Sequence, residues 1–251
     1  MIKMIFLLLF MIVKNNFFMF IIIDGIDGSG KGTIIKEWKK YFELQNKKIF
    51  DLKEFWQKNN RHPEFSEIKD YDILFSAEPT YVWTGKAIRE EMIKNGNDYS
   101  ASSIANAYAL DRLVLYKRLI VPFLKLNKTV IKDRSVSTSL CYQPIQDGSI
   151  TIEEVSNIEG NKFALDNAPD YLIIADLEVE EAMKRLGTRV DEKDNAIFEK
   201  KDFLLKARET FLSKKYQDYF IKNNTKIKIF NSNQKFDIMR EDSIKLLLDL
   251  I

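Results

Sequence analysis

Phe18-Met19-Phe20-Ile21-Ile22-Ile23-Asp24-Gly25-Ile26-Asp27-Gly28-Ser29-Gly30-Lys31-Gly32-Thr33 is the stretch that decides the fold. Phe18 to Ile23 is a continuous apolar run, as expected of a strand buried on both faces of a parallel sheet. A glycine-rich turn follows. From Lys31 to Leu44 the apolar residues Ile34, Ile35, Trp38, Tyr41 and Phe42 then recur at helical spacing. Strand, glycine turn, lysine and helix in that order make a phosphate cradle. The glycines let successive backbone N–H groups point at one phosphate, the helix N-terminus adds its positive end, and the lysine reaches the outer phosphoryl oxygens. Gly25, Asp27, Gly28, Ser29, Gly30, Lys31, Gly32 and Thr33 are therefore the expected nucleoside triphosphate site. The usual pattern places Ser or Thr directly after the lysine. Here Gly32 stands there, so Thr33, one residue later, is the expected hydroxyl contact to a metal ion.

Reading outward, apolar β-rich runs alternate with helix-period segments, which predicts an α/β fold with a parallel sheet between helices. Five strands are expected: Phe18–Ile23, Asp72–Ala77, Thr129–Lys132, Tyr171–Ala175 and Lys226–Phe230. Helices are expected at Gly85–Lys94, from Ser100 to about Leu126 with a bend at Pro122, and at Glu178–Leu186, Glu199–Lys222 and Phe236–Leu248. Lys53 to Lys69 is polar and poorly periodic and reads as an insertion or loop. Residues 19–251 read as one domain. Residues 1–18 are an apolar extension, too short to span a bilayer, which takes about 20 residues; an upstream start codon with a working start at Met19 is the simplest reading.

The chain has 251 residues, with 39 basic and 37 acidic side chains and a formal net charge of +2. Such a balance argues against a nucleic-acid or anionic-membrane binder. The single cysteine, Cys141, precludes an intrachain disulfide and fits a reducing, cytoplasmic compartment. The single histidine, His62, stands beside Pro63 in a polar stretch and reads as a surface-loop residue.

A phosphate cradle alone serves motors, switches and kinases, so later segments must decide the reaction. Glu78-Pro79-Thr80 closes the second strand. Tyr108 and Arg112 are four residues apart on one helix face. A ring and a guanidinium so placed suit a planar base; a core tyrosine with an ordinary ion pair is the plain alternative. Asp133-Arg134-Ser135 ends a strand. Asp133 is placed to position Mg²⁺ and Arg134 to hold a phosphate bidentately, the plain alternative being a structural salt bridge. Arg185, Arg189, Asp191 and Asp194 fall in the charged segment that follows the strand ending at Ala175, and within it about 187–198 reads as a short lid. Transfer of a phosphoryl group needs positive charge around its oxygens and exclusion of water, and a lid bearing arginines supplies both.

IDGIDGSGKGT, AEPT with TGKAIRE, YALDR, DRSVSTSLCYQ and PDYLIIADL together resemble the thymidylate kinase family in order and spacing. The resemblance implies a P-loop NTPase fold, a three-layer α/β/α architecture with a short lid, and phosphorylation of dTMP by ATP with Mg²⁺. It implies that Asp27 lies near the acceptor's 3′-hydroxyl, that Tyr108 stacks on thymine and that Arg112 meets its carbonyl edge. Arg134 would hold the 5′-phosphate, with Tyr142 and Gln143 along the sugar and base; Glu78, Pro79 and Ser139 complete that acceptor set. The catalytic group set is Lys31, Asp27 and a lid arginine, Arg189 first and Arg185 second, because Gly28 stands where one subtype of the family carries an arginine. The resemblance also implies a homodimer. Two departures stand out: Ala77 replaces the arginine often found before Glu-Pro, and Ser135 replaces a tyrosine. The alternatives are a kinase of another nucleoside monophosphate or of a deoxynucleoside, or a non-catalytic nucleotide-binding protein.

Overall fold

The computed structural model describes residues 18–188 and 197–251. Most of the apolar extension and the lid residues Arg189, Asp191 and Asp194 lie outside the described residues.

The sheet has six parallel strands in the order β2-β3-β4-β1-β5-β6: β1 Phe20–Asp24, β2 Ile49–Asp51, β3 Ile73–Ala77, β4 Thr129–Asp133, β5 Tyr171–Asp176 and β6 Lys226–Asn231. Five of these match the expected strands. The sixth, β2, is a three-residue edge strand on β3, with Ile49 opposite Ile73 and Asp51 opposite Phe75. Its few half-buried residues among lysines carry too short a pattern to stand out.

Alternation along each strand explains the three layers. Ile21, Ile23, Phe75, Ile131 and Ile173 face one way, against Ile34, Trp38 and Phe42 of helix α1 (Lys31–Leu44) and Met239 and Leu247 of the closing helix Phe236–Leu250. Trp38 is fully buried there and its Nε1–H donates to the carbonyl of Ser243 at 2.8 Å. Phe20, Ile22, Leu74, Val130 and Ile174 face the other way, onto the larger helical layer. Burying one such side chain stabilises the fold by roughly 1.5–3 kcal/mol before entropy is charged against it.

The segment Lys53 to Lys69 is not a loop. It forms α2 (Leu52–Asn59) and a single turn, Phe65–Ile68. Asp51 caps α2, accepting from the N–H of Glu54 at 3.1 Å. Asp51-x-x-Glu54 was thus a legible start signal, masked by poor periodicity after it. His62 is likewise not on the surface: it is 2 % exposed, and its Nδ1 accepts from Trp56 Nε1–H at 3.1 Å. Burial, with Arg118 nearby, pushes its pKa down to about 4.

The long helix expected from Ser100 runs regularly over α3 (Ala101–Leu115), widens into a π-turn at Tyr116–Ile120 and ends as Val121–Leu124. The wider turn lies just ahead of Pro122, whose missing N–H and ring bulk disturb the preceding turn. The segment expected from Glu199 to Lys222 is two helices, Lys201–Leu212 and Lys214–Ile221, parted at Ser213, which caps the second by accepting from the N–H of Tyr216 at 3.3 Å.

Candidate active site

The carboxyl ends of β3, β4 and β1 open into one cleft of about 1190 Å³, beside the point where the strand order reverses. Open α/β sheets bind ligands there. The Gly25–Thr33 loop forms its floor. Gly28 (φ 82°) and Gly30 (φ 88°) take left-handed backbone, which lets the loop curl and hand over to α1. The Lys31 ammonium lies over the loop, donating to the carbonyls of Gly25 (3.1 Å) and Ile26 (2.9 Å). It is 7 % exposed, and burial together with Arg134 lowers its pKa to about 8.

The loop and the arginine-bearing wall of the cleft meet at Asp27. Its carboxylate accepts from Arg134 at 2.5 Å and from the Tyr142 hydroxyl at 3.1 Å. Arg134 has a left-handed backbone (φ 64°), unusual for a residue with a Cβ and costly by about 1–2 kcal/mol. That turn throws its guanidinium back over the loop, where it also reaches Asp24 and the carbonyl of Gly25, each at 3.3 Å. Asp24 was not singled out from sequence. It is wholly buried at the end of β1 and accepts from the N–H of Gly25 (2.8 Å), Thr138 Oγ1 (2.7 Å) and Ser137. Burial pushes its pKa up, while Arg134 and Lys31 hold it down. The signal was there: an acid closing an all-apolar strand must be paired.

Behind this wall lies a second buried charge cluster. Glu78 accepts from Arg112 Nε–H at 2.7 Å and from the ammonium of Lys132. Arg112 also donates to Ser139 Oγ at 3.1 Å and to Asn161. Asn161 reaches it because Gly160 packs hard on α3: a Cβ there would fall 1.8 Å from the carbonyl oxygen of Ala109. Asp111 accepts from Thr80 N–H (2.8 Å) and Oγ1 (2.7 Å), and burial lifts its pKa to about 6. Tyr108 and Arg112 do share a face of α3 and both line the cleft, as do Glu78 and Pro79. Burial pushes the Tyr108 phenol up to about 12. Arg112 still has one N–H on each terminal nitrogen beyond these three bonds. Ser139 and Gln143 stand one layer back from the cleft lining; Gln143 Oε1 is buried with no hydrogen-bond partner among the described residues. Lys132 and Asn161 were missed in the sequence, being a lysine inside a strand and an asparagine on an unassigned helix.

At the other end of the cleft, Arg185 donates to Glu181 (3.0 Å) and to the carbonyl of Ser232 (3.2 Å), close to Gly30. Thr33 and Asp133 both line the cleft, and Asp133 Oδ1 is buried without a hydrogen-bond partner among the described residues. A carboxylate oxygen so placed, with a hydroxyl in the same cleft, is a donor set suited to a hard cation such as Mg²⁺. Among the described residues no group of three or more His, Cys, Asp or Glu side chains converges, so phosphate and water oxygens would supply the rest of its shell.

A glycine cradle with a buried lysine, set at the carboxyl end of a parallel sheet and facing an arginine-bearing wall, defines a P-loop phosphotransferase. Comparison with known proteins narrows the class. The family profile described as "Thymidylate kinase" matches residues 64–242, more than half of the chain. A probable thymidylate kinase of Methanococcus aeolicus is 30 % identical over 230 residues, covering 92 % of this chain and 96 % of that one. One of Thermococcus kodakarensis is 31 % identical over 241 residues, covering 93 % and 98 %. One of Thermococcus onnurineus is 33 % identical over 181 residues, covering 68 % and 72 %. The chain belongs to the thymidylate kinase family.

Proposed function

We propose that the cleft brings ATP and dTMP together and that the residues above carry the family's reaction, ATP-dependent phosphorylation of dTMP to dTDP. ATP lies with its phosphates on Gly25–Thr33, and Lys31 offsets charge on its outer oxygens. The 5′-phosphate of dTMP is held by Arg134, and its sugar lies by Asp27 and Tyr142. Tyr108 stacks on the thymine and Arg112 meets its edge, with Gln143 and Ser139 supporting from behind. One acceptor phosphate oxygen forms a bond to the γ-phosphorus in line, as the bond from that phosphorus to the β,γ-bridging oxygen breaks and its electron pair leaves with ADP. The protein's part is positioning and charge. Arg185, and Arg189 on the expected lid, offset the charge on the transferring group. Mg²⁺ held by Asp133 and Thr33 would supply charge neutralisation along the phosphates.

The observation that carries this reading is the double hold of Arg134 and Tyr142 on Asp27, which joins the donor loop to the acceptor wall in one cleft. Cytoplasmic residence and a homodimer belong to the same proposal, the first from the substrates and the single cysteine, the second from the family resemblance. Among the described residues no helix is long and apolar enough to cross a membrane. The test is ADP release with ATP, Mg²⁺ and a panel of dTMP, dUMP, dCMP, dGMP, AMP and thymidine. The largest kcat/KM is expected with dTMP. A different preferred monophosphate would overturn the thymine assignment of Tyr108 and Arg112, and ATP binding without turnover of any acceptor would favour a non-catalytic nucleotide binder.

A further inference from the structure

The cleft wall is braced from two sides. On the outer side Trp56 of α2 stacks on Tyr81, with 6.4 Å between ring centres, and His62 holds Trp56 from behind. On the inner side the brace is a hydroxyl. Tyr116, fully buried, opens the π-turn that follows α3. Its hydroxyl lies 2.9 Å from Ser135 Oγ. Its ring is fixed as well: the Lys132 ammonium stands 4.3 Å from the ring centre, and the Phe20 ring packs against it edge-on at 6.1 Å.

Ser135 does not do there what a serine in its place ordinarily does. It stands immediately before the helix Val136–Gln146, where a serine hydroxyl usually accepts from the N–H groups of the first turn. Ser135 makes no such cap. Its buried side chain is spent between Tyr116 and Glu78, whose Oε1 lies 3.4 Å away. With the Ser135 O–H directed at that carboxylate, Tyr116 O–H donates to Ser135 Oγ. The departure at this position, a serine in place of a tyrosine, is what leaves a short hydroxyl for Tyr116 to reach.

The residue ahead of Ser135 is Arg134. Its left-handed backbone is not one that an arginine adopts by preference, so its surroundings have to impose it. On one side the Arg134 N–H donates to the carbonyl of Ile23 at 3.0 Å. On the other side Ser135 is pinned by Tyr116, and Asp24 anchors the helix beyond through Ser137 and Thr138. The turn is thus clamped at both ends.

We propose that Tyr116 is a positioning residue for the acceptor phosphate: its hydroxyl, through Ser135, holds the left-handed turn that aims the Arg134 guanidinium into the cleft. The inference rests on the reading of Arg134 as the group that holds the 5′-phosphate of dTMP. Tyr116 acts through Ser135 and Arg134 and touches no substrate itself.

Tyr116→Phe removes the hydroxyl and leaves the ring. The test is calorimetric titration of the full chain and its variants with dTMP, with thymidine, which lacks the phosphate, and with ATP. Loss of one buried neutral hydrogen bond predicts dTMP affinity about 5-fold weaker in Tyr116→Phe, with thymidine and ATP each within about 2-fold. Ser135→Ala should weaken dTMP by a similar factor. The double variant should lose no more than either alone, because both act through one bond. If Ser135→Ala does not fold, Tyr116→Phe decides alone. A tyrosine with a structural role only would lower Tm and leave dTMP affinity unchanged, and that result would overturn the proposal. So would additive losses of about 25-fold in the double variant, or an equal loss of thymidine affinity. Amide exchange over residues 133–138 of the unliganded chain separates this inference from the reading beneath it. Exchange there should be about 5-fold faster in Tyr116→Phe, and an unchanged rate would overturn the hold on the turn. A wild type that binds dTMP no tighter than thymidine would instead overturn the assignment of Arg134 to the acceptor phosphate, with the exchange comparison still deciding whether Tyr116 holds the turn.

Discussion

The phosphate loop and the acceptor wall face each other across one cleft but are made in opposite ways. The loop is local: one strand end, nine consecutive residues and one helix start, held by its own backbone and by Lys31 folding back onto it. The wall is assembled from β3, β4, α2, α3 and two further helices, and charge pairs hold it together: Glu78 between Arg112 and Lys132, and Asp27 and Asp24 around Arg134. The loop therefore tolerates change around it and not within it. The wall depends as well on residues behind its lining, Lys132 and Asn161.

The sharpest way to break that contrast is at Lys31. Lys31→Ala should cut kcat by about 10³-fold, the scale of removing a preorganised charge from a transferring phosphoryl group. The fold should survive, with Tm shifted by only a few degrees. Collapse of the fold would show that the loop is a structural keystone as well.

On the wall the expected effect reverses, with stability hit first. Lys132→Met removes one partner of a wholly buried ion pair and leaves Glu78 short of a cation. Breaking such pairs costs about 3 kcal/mol or more. Chemical denaturation should show that loss, and the variant's KM for dTMP should rise while KM for ATP stays within about 2-fold. A variant as stable as wild type would mean that the cluster is not what holds the wall.

His62 tests the wall's outer support. Its folded pKa lies near 4, below its ordinary value of about 6.5. The unfolded chain therefore binds the proton first as pH falls. Stability from the neutral imidazole is present above pH 6.5 and is lost between pH 6.5 and 4, by about 3 kcal/mol. His62→Gln, which keeps an acceptor for Trp56, should flatten that part of the Tm-against-pH curve. An unchanged curve would mean that His62 does not support the wall.

The smallest effect is expected at Gly32. A Cβ there meets nothing within 4 Å and its backbone is not left-handed. Gly32→Ser should stabilise the helix start by under about 1 kcal/mol. If Thr33 is the metal contact, the Mg²⁺ dependence of turnover should worsen in Thr33→Ala and hardly change in Gly32→Ser. The opposite pattern would move the contact to position 32.

What the sequence made legible follows the same divide. The loop could be read because its signals are contiguous: an apolar run, glycines, a lysine and a helical period. Tyr108, Arg112, Asp133 and Arg134 were legible because they sit at element ends or share a helix face. Lys132 could not be found that way, since a lysine inside a strand reads as an interruption and acquires meaning only once Glu78 is brought beside it. Asn161 needed the close approach of Gly160 to Ala109. β2 and α2 were hidden by shortness and by lysine-rich composition. His62 was misplaced because its partner Trp56 lies in that unrecognised helix.

The proposed reaction requires one cleft to serve both substrates, with Arg134 in the half that holds dTMP. Steady-state kinetics of Arg134→Ala test it most directly. In that variant kcat/KM for dTMP should fall by about 10²-fold or more while ATP affinity, measured by titration, changes by less than about 3-fold. An equal loss of ATP affinity, or an undiminished kcat/KM for dTMP, would contradict it.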